Sequence, residues 1–257
     1  MLGLATTMAA GRDDRPVGFD PPGWPPDEAV IQAIHDRYQR EIIEAFSLCP
    51  FARRSRELGR VHRPVFVTAG PSEPRAAEVA AALGALVDED RDAEIVLLTF
   101  PIPPGHRWSR PAAFERFLGL LRRAWDELPP PREFYMVSFH PDLAPPSGRS
   151  LTADSLVSII RRSPDPVIQC VDAELLDRVR KQAQTAARER MLQKLEREDP
   201  ALAALFAQSV ASDPELSSDI ARQNFSTHGR GDALTRLEAA LAQLRADRDR
   251  AYGLTPS

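Results

Sequence analysis

The chain has 257 residues, of which 43% are apolar and 27% charged, so it is long enough to bury a sizeable core. A net charge of -4 excludes a protein whose overall charge attracts nucleic acid, and no nucleic-acid partner is expected. The apolar run 1–10 is too short to span a bilayer and lacks preceding positive residues, so neither a membrane nor a secretion signal is predicted. Two cysteines are too few for a disulfide scaffold, which favours a reducing cytoplasm.

The N-terminal part is predicted to be an arm followed by a helix. Residues 1–26 are rich in Pro, Asp, Arg and Gly and are expected to be disordered. Apolar residues then recur every three or four positions and predict a helix over 27–48, with Asp27 as its N-cap. Because Pro50 cannot continue a helix, Cys49 is expected at the helix exit.

Strands and helices are predicted to alternate in the next part of the chain. Strands are expected at 64–68, 94–100, 134–139 and 166–171, with helices at 72–88, 111–128 and 152–161 between them. This alternation favours right-handed crossovers, and thus a three-layer α/β core over 27–180 with a mainly parallel or mixed four-stranded sheet. Gln169 interrupts the fourth apolar run and favours an edge position for that strand, whose direction stays open.

From Asp172 onward the pattern is helical, and Asp172 is the predicted cap of the next helix. We expect a helical C-terminal extension over 181–257, with later helices near 201–210, 214–222 and 232–250. Its charged stretch is expected to be solvated or to pack on a protein partner or a second copy. Interleaved Arg and Glu argue against nucleic acid there too.

In open parallel sheets, ligands bind beyond the carboxyl ends of the strands. The residues predicted at those ends are 70–72, 101–107, 140–142 and 172. Helix N-termini predicted near Ser72 and Asp172 would open at the same edge, where free N–H groups suit an anion.

Three short motifs occur in order along the core. They are Leu-Cys-Pro-Phe-Ala at 48–52, Ser-Phe-His-Pro-Asp at 138–142 and Arg-Ser-Pro-Asp-Pro at 162–166, with a weaker Arg-Gln-Asn at 222–224. Together they resemble the bacterial family called domain of unknown function 1415, over roughly 27–180 and a short piece around Asn224. Asp165 stands where that family usually has an aromatic residue, and Gln169-Cys170 where it tends to have His-Leu. The resemblance implies site residues, but no reaction and no cofactor.

The candidate catalytic residues are Cys49, His140 and Asp142. A thiolate at Cys49 would attack a substrate or hold a metal, with His140 as general base and Asp142 orienting that imidazole. The structural alternatives are a small residue at a helix exit, a histidine that braces its loop, and an aspartate that starts a turn.

The candidate ligand-binding residues are Arg53, Arg162, Ser163 and Asn224. Arg162 and Ser163 would hold a phosphate or carboxylate, or else only brace their loop, whereas Arg161 is expected to face solvent. Neither a CxxC pair nor an HExxH motif is present, so no metal site is predicted. The cofactor is left unknown, and nucleotides bound through GxGxxG or Walker loops are disfavoured.

Two functions remain open from the sequence. One is a small-molecule enzyme or an anion-binding protein that uses these Cys, His and Arg residues at the strand ends. The other is a non-catalytic adaptor that binds partners through its charged C-terminal helices.

Overall fold

The computed structural model describes residues 21, 23–68, 73–128, 132–145, 152–198 and 216–254. The strands are β1 (Val61–His62), β2 (Ile95–Thr99), β3 (Phe134–Phe139) and β4 (Val167–Asp172). The helices are α1 (Glu28–Arg37), α2 (Ala52–Glu57), α3 (Ala76–Glu89), α4 (Pro111–Asp126), α5 (Ala153–Ile160), α6 (Ala173–Glu198), α7 (Leu216–His228) and α8 (Gly231–Ala251). The predicted α/β class with a helical C-terminal part is confirmed. The predictions for 1–20, for the turn and cap at 70–72 and for a helix at 201–210 lie outside the described residues.

The sheet is mixed, with strand order β1-β2-β4-β3. β1 and β2 are parallel, whereas β4 is antiparallel to both of its neighbours. The expected edge position of β4 is therefore wrong, and Gln169 lies at the centre of the sheet, level with Leu97 and Val137. Because β4 runs in reverse, Asp172 lies at the end of the sheet opposite His140, and it does not join the predicted strand-end site.

Each strand alternates its side chains between two sheet faces. The first face carries Val96, Leu98, Met136 and Ile168, and α3 and α4 cover it through an aromatic cluster around Trp108. The predicted cap of α6 is confirmed at the end of β4, since the Asp172 carboxylate accepts a 2.9 Å hydrogen bond from the N–H of Leu175.

The second face is covered by the N-terminal helix, α5 and the C-terminal helix α8. α1 continues as a π-helical segment over Tyr38–Glu44, and the helical stretch ends before Pro50 because Ser47 adopts a left-handed conformation, with φ of 52°. Leu237 and Leu241 of α8 pack against Tyr38 and Leu156.

The boundary predicted after Arg180 falls inside α6. The apolar stripe of α8 makes that helix part of the core, and Phe225 of α7 packs against the same cluster. Within the described ranges, no helix is long and apolar enough to cross a membrane.

Candidate functional site

A cavity of about 240 Å³ lies between the second face of the sheet and the helices that cover it. One wall is a row across three strands, formed by Leu97, Gln169 and Val137. The facing wall includes Ile43 and Ile160, so most of the lining is apolar. We call this space the sheet-face cavity.

Arg161 provides a cation at the sheet-face cavity. It is partly buried rather than exposed as the sequence predicted. Burial lowers the pKa of its guanidinium, and attraction to Glu115 only partly opposes that effect. Among the described residues, Arg161 has no hydrogen-bond partner for its side chain, so the group is available to an anion.

Two further polar atoms beside this cavity are buried without a partner in the described part of the chain: the Tyr38 hydroxyl and Nε of Arg63. Burial raises the pKa of Tyr38, so the phenol stays protonated. The other guanidinium nitrogens of Arg63 are occupied, at 2.8 Å from Asp36 and 3.0 Å from Gln39. An unsatisfied buried donor costs about 1–3 kcal/mol, and a ligand could recover that cost.

Cys49 also lines the sheet-face cavity, packed against the cluster of Phe51, Ile95 and Leu175. Burial raises the pKa of its thiol to about 11, although N–H groups of Phe51 and Ala52 lower it in part. The thiol is therefore neutral near pH 7, which favours the structural alternative for Cys49 over the activated thiolate.

His140 lies against the other face of the sheet, where it is 1% exposed and packs beside the Phe114 ring. Its Nδ1 accepts a 3.0 Å hydrogen bond from the N–H of Asp142, so Nε2 carries the proton and donates to the Trp108 carbonyl at 2.7 Å. Burial lowers the pKa of this imidazole. Both nitrogens of the neutral ring are occupied, and Cys49 and His140 do not form the predicted pair.

The alkylation rate of Cys49 is expected to rise with pH along a curve with an apparent pKa near 11, above the reference value of about 8.5. The measurement uses a Cys170→Ala background, which removes the second, fully buried thiol, so that the rate reports Cys49 alone. Adding His140→Ala should leave the curve unchanged. An apparent pKa below the reference value, shifted by that substitution, would restore the activated pair.

Asp142 and Arg162 both stabilise the loop after β3. The Asp142 carboxylate is exposed and lies 2.5 Å from Nη1 of Arg245 on α8. Nε of Arg162 donates to the Leu143 carbonyl at 2.7 Å. These residues line a second cavity of about 330 Å³, and they do not reach Cys49 or the sheet-face cavity.

The two remaining candidates on helices have structural contacts. Arg53 is exposed, and its Nε lies 3.6 Å from the carboxylate of Glu44. Asn224 is buried, and its amide donates to the Leu48 carbonyl at 3.1 Å, which ties α7 to the turn before Cys49.

A buried charge network around Asp165 was not predicted. Oδ1 of Asp165 accepts hydrogen bonds from Arg248 at 2.7 and 3.1 Å, and Oδ2 contacts His35 at 3.0 Å and the Tyr252 hydroxyl at 2.7 Å. Ser163 belongs to the same turn, where its hydroxyl donates to the Asp165 carbonyl at 2.5 Å. In the sequence, the alternating Asp and Arg residues near 248 are typical of a solvated helix face and do not predict a buried arginine. The only sequence feature that marked the network was the unusual aspartate at 165.

In the ranges that the structure describes, no group of three or more His, Cys, Asp or Glu side chains could hold a metal ion. No family model, curated protein or solved structure matches the chain. The resemblance to domain of unknown function 1415 therefore stays a prediction, and any function has to be argued from the site alone.

Proposed function

We propose that this protein binds a small, largely apolar molecule carrying one anionic group, and that the sheet-face cavity is the binding site. The observation that carries this proposal is the composition of the cavity. The described residues that line it include two arginines, Arg63 and Arg161, but no Asp or Glu. Because Arg63 is already paired with Asp36, Arg161 is the cation that an anionic group would meet in this cavity.

The chemistry of Arg161 favours a carboxylate as the anionic group. A planar guanidinium pairs with a carboxylate through two parallel hydrogen bonds, and each bond is strengthened in a weakly polar environment. The size of the cavity limits the rest of the ligand. An apolar cavity of about 150 Å³ accepts benzene, so about 240 Å³ corresponds to a molecule of roughly ten non-hydrogen atoms.

Binding fits the geometry better than thiol catalysis does. Cys49 faces the same cavity, but its thiol is neutral and His140 lies across the sheet. We place the protein in a reducing cytoplasm, because Cys49 and Cys170 are both free, and we assign it no nucleic-acid ligand. Under this proposal, Arg162, Asp142 and Asn224 stabilise the loops and turns around the cavity.

Calorimetric titration with octanoate and with its neutral amide tests the proposal. Octanoate should bind and the amide should bind far more weakly, since only the carboxylate pairs with Arg161. Arg161→Met should weaken octanoate binding about 10–100-fold, because a hydrogen bond to a charged group contributes about 1.5–3 kcal/mol.

Arg162→Met is the matched control, because it removes the neighbouring guanidinium, which lines the other cavity. It should leave the affinity for octanoate unchanged. Equal losses in the two variants, or equal binding of octanoate and its amide to the wild type, would refute the proposed site.

A further inference from the structure

Gln169 is a polar residue in the middle of an apolar wall. It lies at the centre of β4, paired in register with Leu97 on one side and Val137 on the other. All three side chains line the sheet-face cavity. Gln169 is partly buried, and its amide makes no hydrogen bond to another residue within the described ranges.

Protein packing does not explain a glutamine at this position. An apolar side chain would match its neighbours, whereas this glutamine is partly exposed and lines the cavity without a protein partner for its amide in the described ranges. The amide supplies one acceptor and two donors, and all of them point to a partner that comes from outside the chain. A ligand in the cavity would be that partner.

We propose that Gln169 determines ligand specificity by hydrogen bonding to an amide-like group in the body of the ligand. This inference rests on the proposed function and narrows the ligand to a small carboxylate that also carries a neighbouring N–H and C=O.

The separation of the two groups follows from the strand register. Val167, level with Phe139, is the β4 residue of the cavity wall nearest the backbone of Arg161, because the N–H of His140, which follows Phe139, donates to the Arg161 carbonyl. Gln169 lies two residues further along the strand, a distance of about 7 Å. The amide of the ligand should therefore lie a few bonds away from the carboxylate.

The test compares 4-acetamidobutanoate with octanoate, which has the same number of non-hydrogen atoms and no amide. Affinities are measured by calorimetry for the wild type and for Gln169→Met, which keeps the length of the side chain. The wild type should prefer the amide-bearing probe, and the variant should lose that preference by tenfold or more, because a site built for hydrogen bonding discriminates strongly.

Two further measurements distinguish a role of Gln169 in ligand specificity from a role in stabilising the fold. Gln243→Met removes an exposed amide on α8, away from the cavity, and it should leave the preference unchanged. Gln169→Met should unfold at an equal or higher denaturant concentration than the wild type.

An unchanged preference in Gln169→Met, with both probes still bound, overturns this inference and leaves the proposed function standing. A lower unfolding midpoint in that variant also overturns it, since the glutamine would then be structural. Failure of both probes to bind the wild type overturns the proposed function as well.

Discussion

Replacing Asp165 by asparagine is expected to lower the free energy of unfolding by about 3–5 kcal/mol, because it removes the buried carboxylate that pairs with Nε and Nη2 of Arg248. Among the described residues, that guanidinium then keeps only the partly exposed Asp249, at Nη1, as a charge partner. Arg248 is 8% exposed and Asp165 is fully buried. The same substitution weakens the contacts to His35 and Tyr252. Denaturation monitored by circular dichroism at pH 7 measures the loss.

Asp142→Asn provides the control for this prediction. It breaks the pair with Arg245, in which both side chains are more than 40% exposed, and exposed pairs contribute about 0–1 kcal/mol. A loss of 1 kcal/mol or less in Asp165→Asn would mean that the network does not hold α8 to the core. The double variant Asp165→Leu/Arg248→Met should be more stable than Asp165→Asn, since no unpaired buried charge remains.

The network also has a pH dependence of known sign. Burial opposes ionisation of Asp165, but Arg248 and His35 more than offset it and hold the pKa of that carboxyl well below its usual range. A carboxyl whose pKa is lower in the folded state stabilises the fold above its unfolded pKa of about 3.9. That contribution is lost as the pH falls further towards the folded pKa.

The bounds of a strand or helix were predictable from the sequence where one apolar pattern determined them. β3 has the predicted bounds, because an apolar run of strand length lies between Pro131 and Pro141. The position of β4 was not predictable in this way. The short helix before it allowed either direction, and Gln169 was assigned to an edge because its polarity was attributed to solvent instead of a cavity.

The site was harder to predict than the fold, because it depends on which sheet face each residue reaches. Cys49 and His140 both lie in conspicuous motifs, yet strand alternation and helix packing place them on opposite faces. Arg161 and Arg162 are neighbours at the end of α5, and only the structure shows which of them reaches the sheet-face cavity. Asp165 and Arg248 are 83 residues apart, with no periodicity linking them.

His140→Ala is expected to lower the free energy of unfolding by about 2–4 kcal/mol, because it leaves the buried Trp108 carbonyl without a donor and opens a void beside Phe114. Chemical denaturation at pH 7 measures this loss. Octanoate binding to the folded variant should be unchanged, since His140 does not line the sheet-face cavity. Intact stability with lost binding would instead make His140 a functional residue.

The pH dependence of the same variant tests the protonation state of His140. Because burial lowers its pKa in the folded state, the unfolded chain binds more protons below the ordinary histidine pKa of about 6.5. The unfolding free energy of the wild type should therefore fall as the pH falls from about 7 to 5. His140→Ala should show a shallower fall, and not a flat line, because His35 is also buried with a lowered pKa. An equal slope in both proteins would mean that folding does not lower the pKa of His140, and it would contradict the neutral, hydrogen-bonded ring described above.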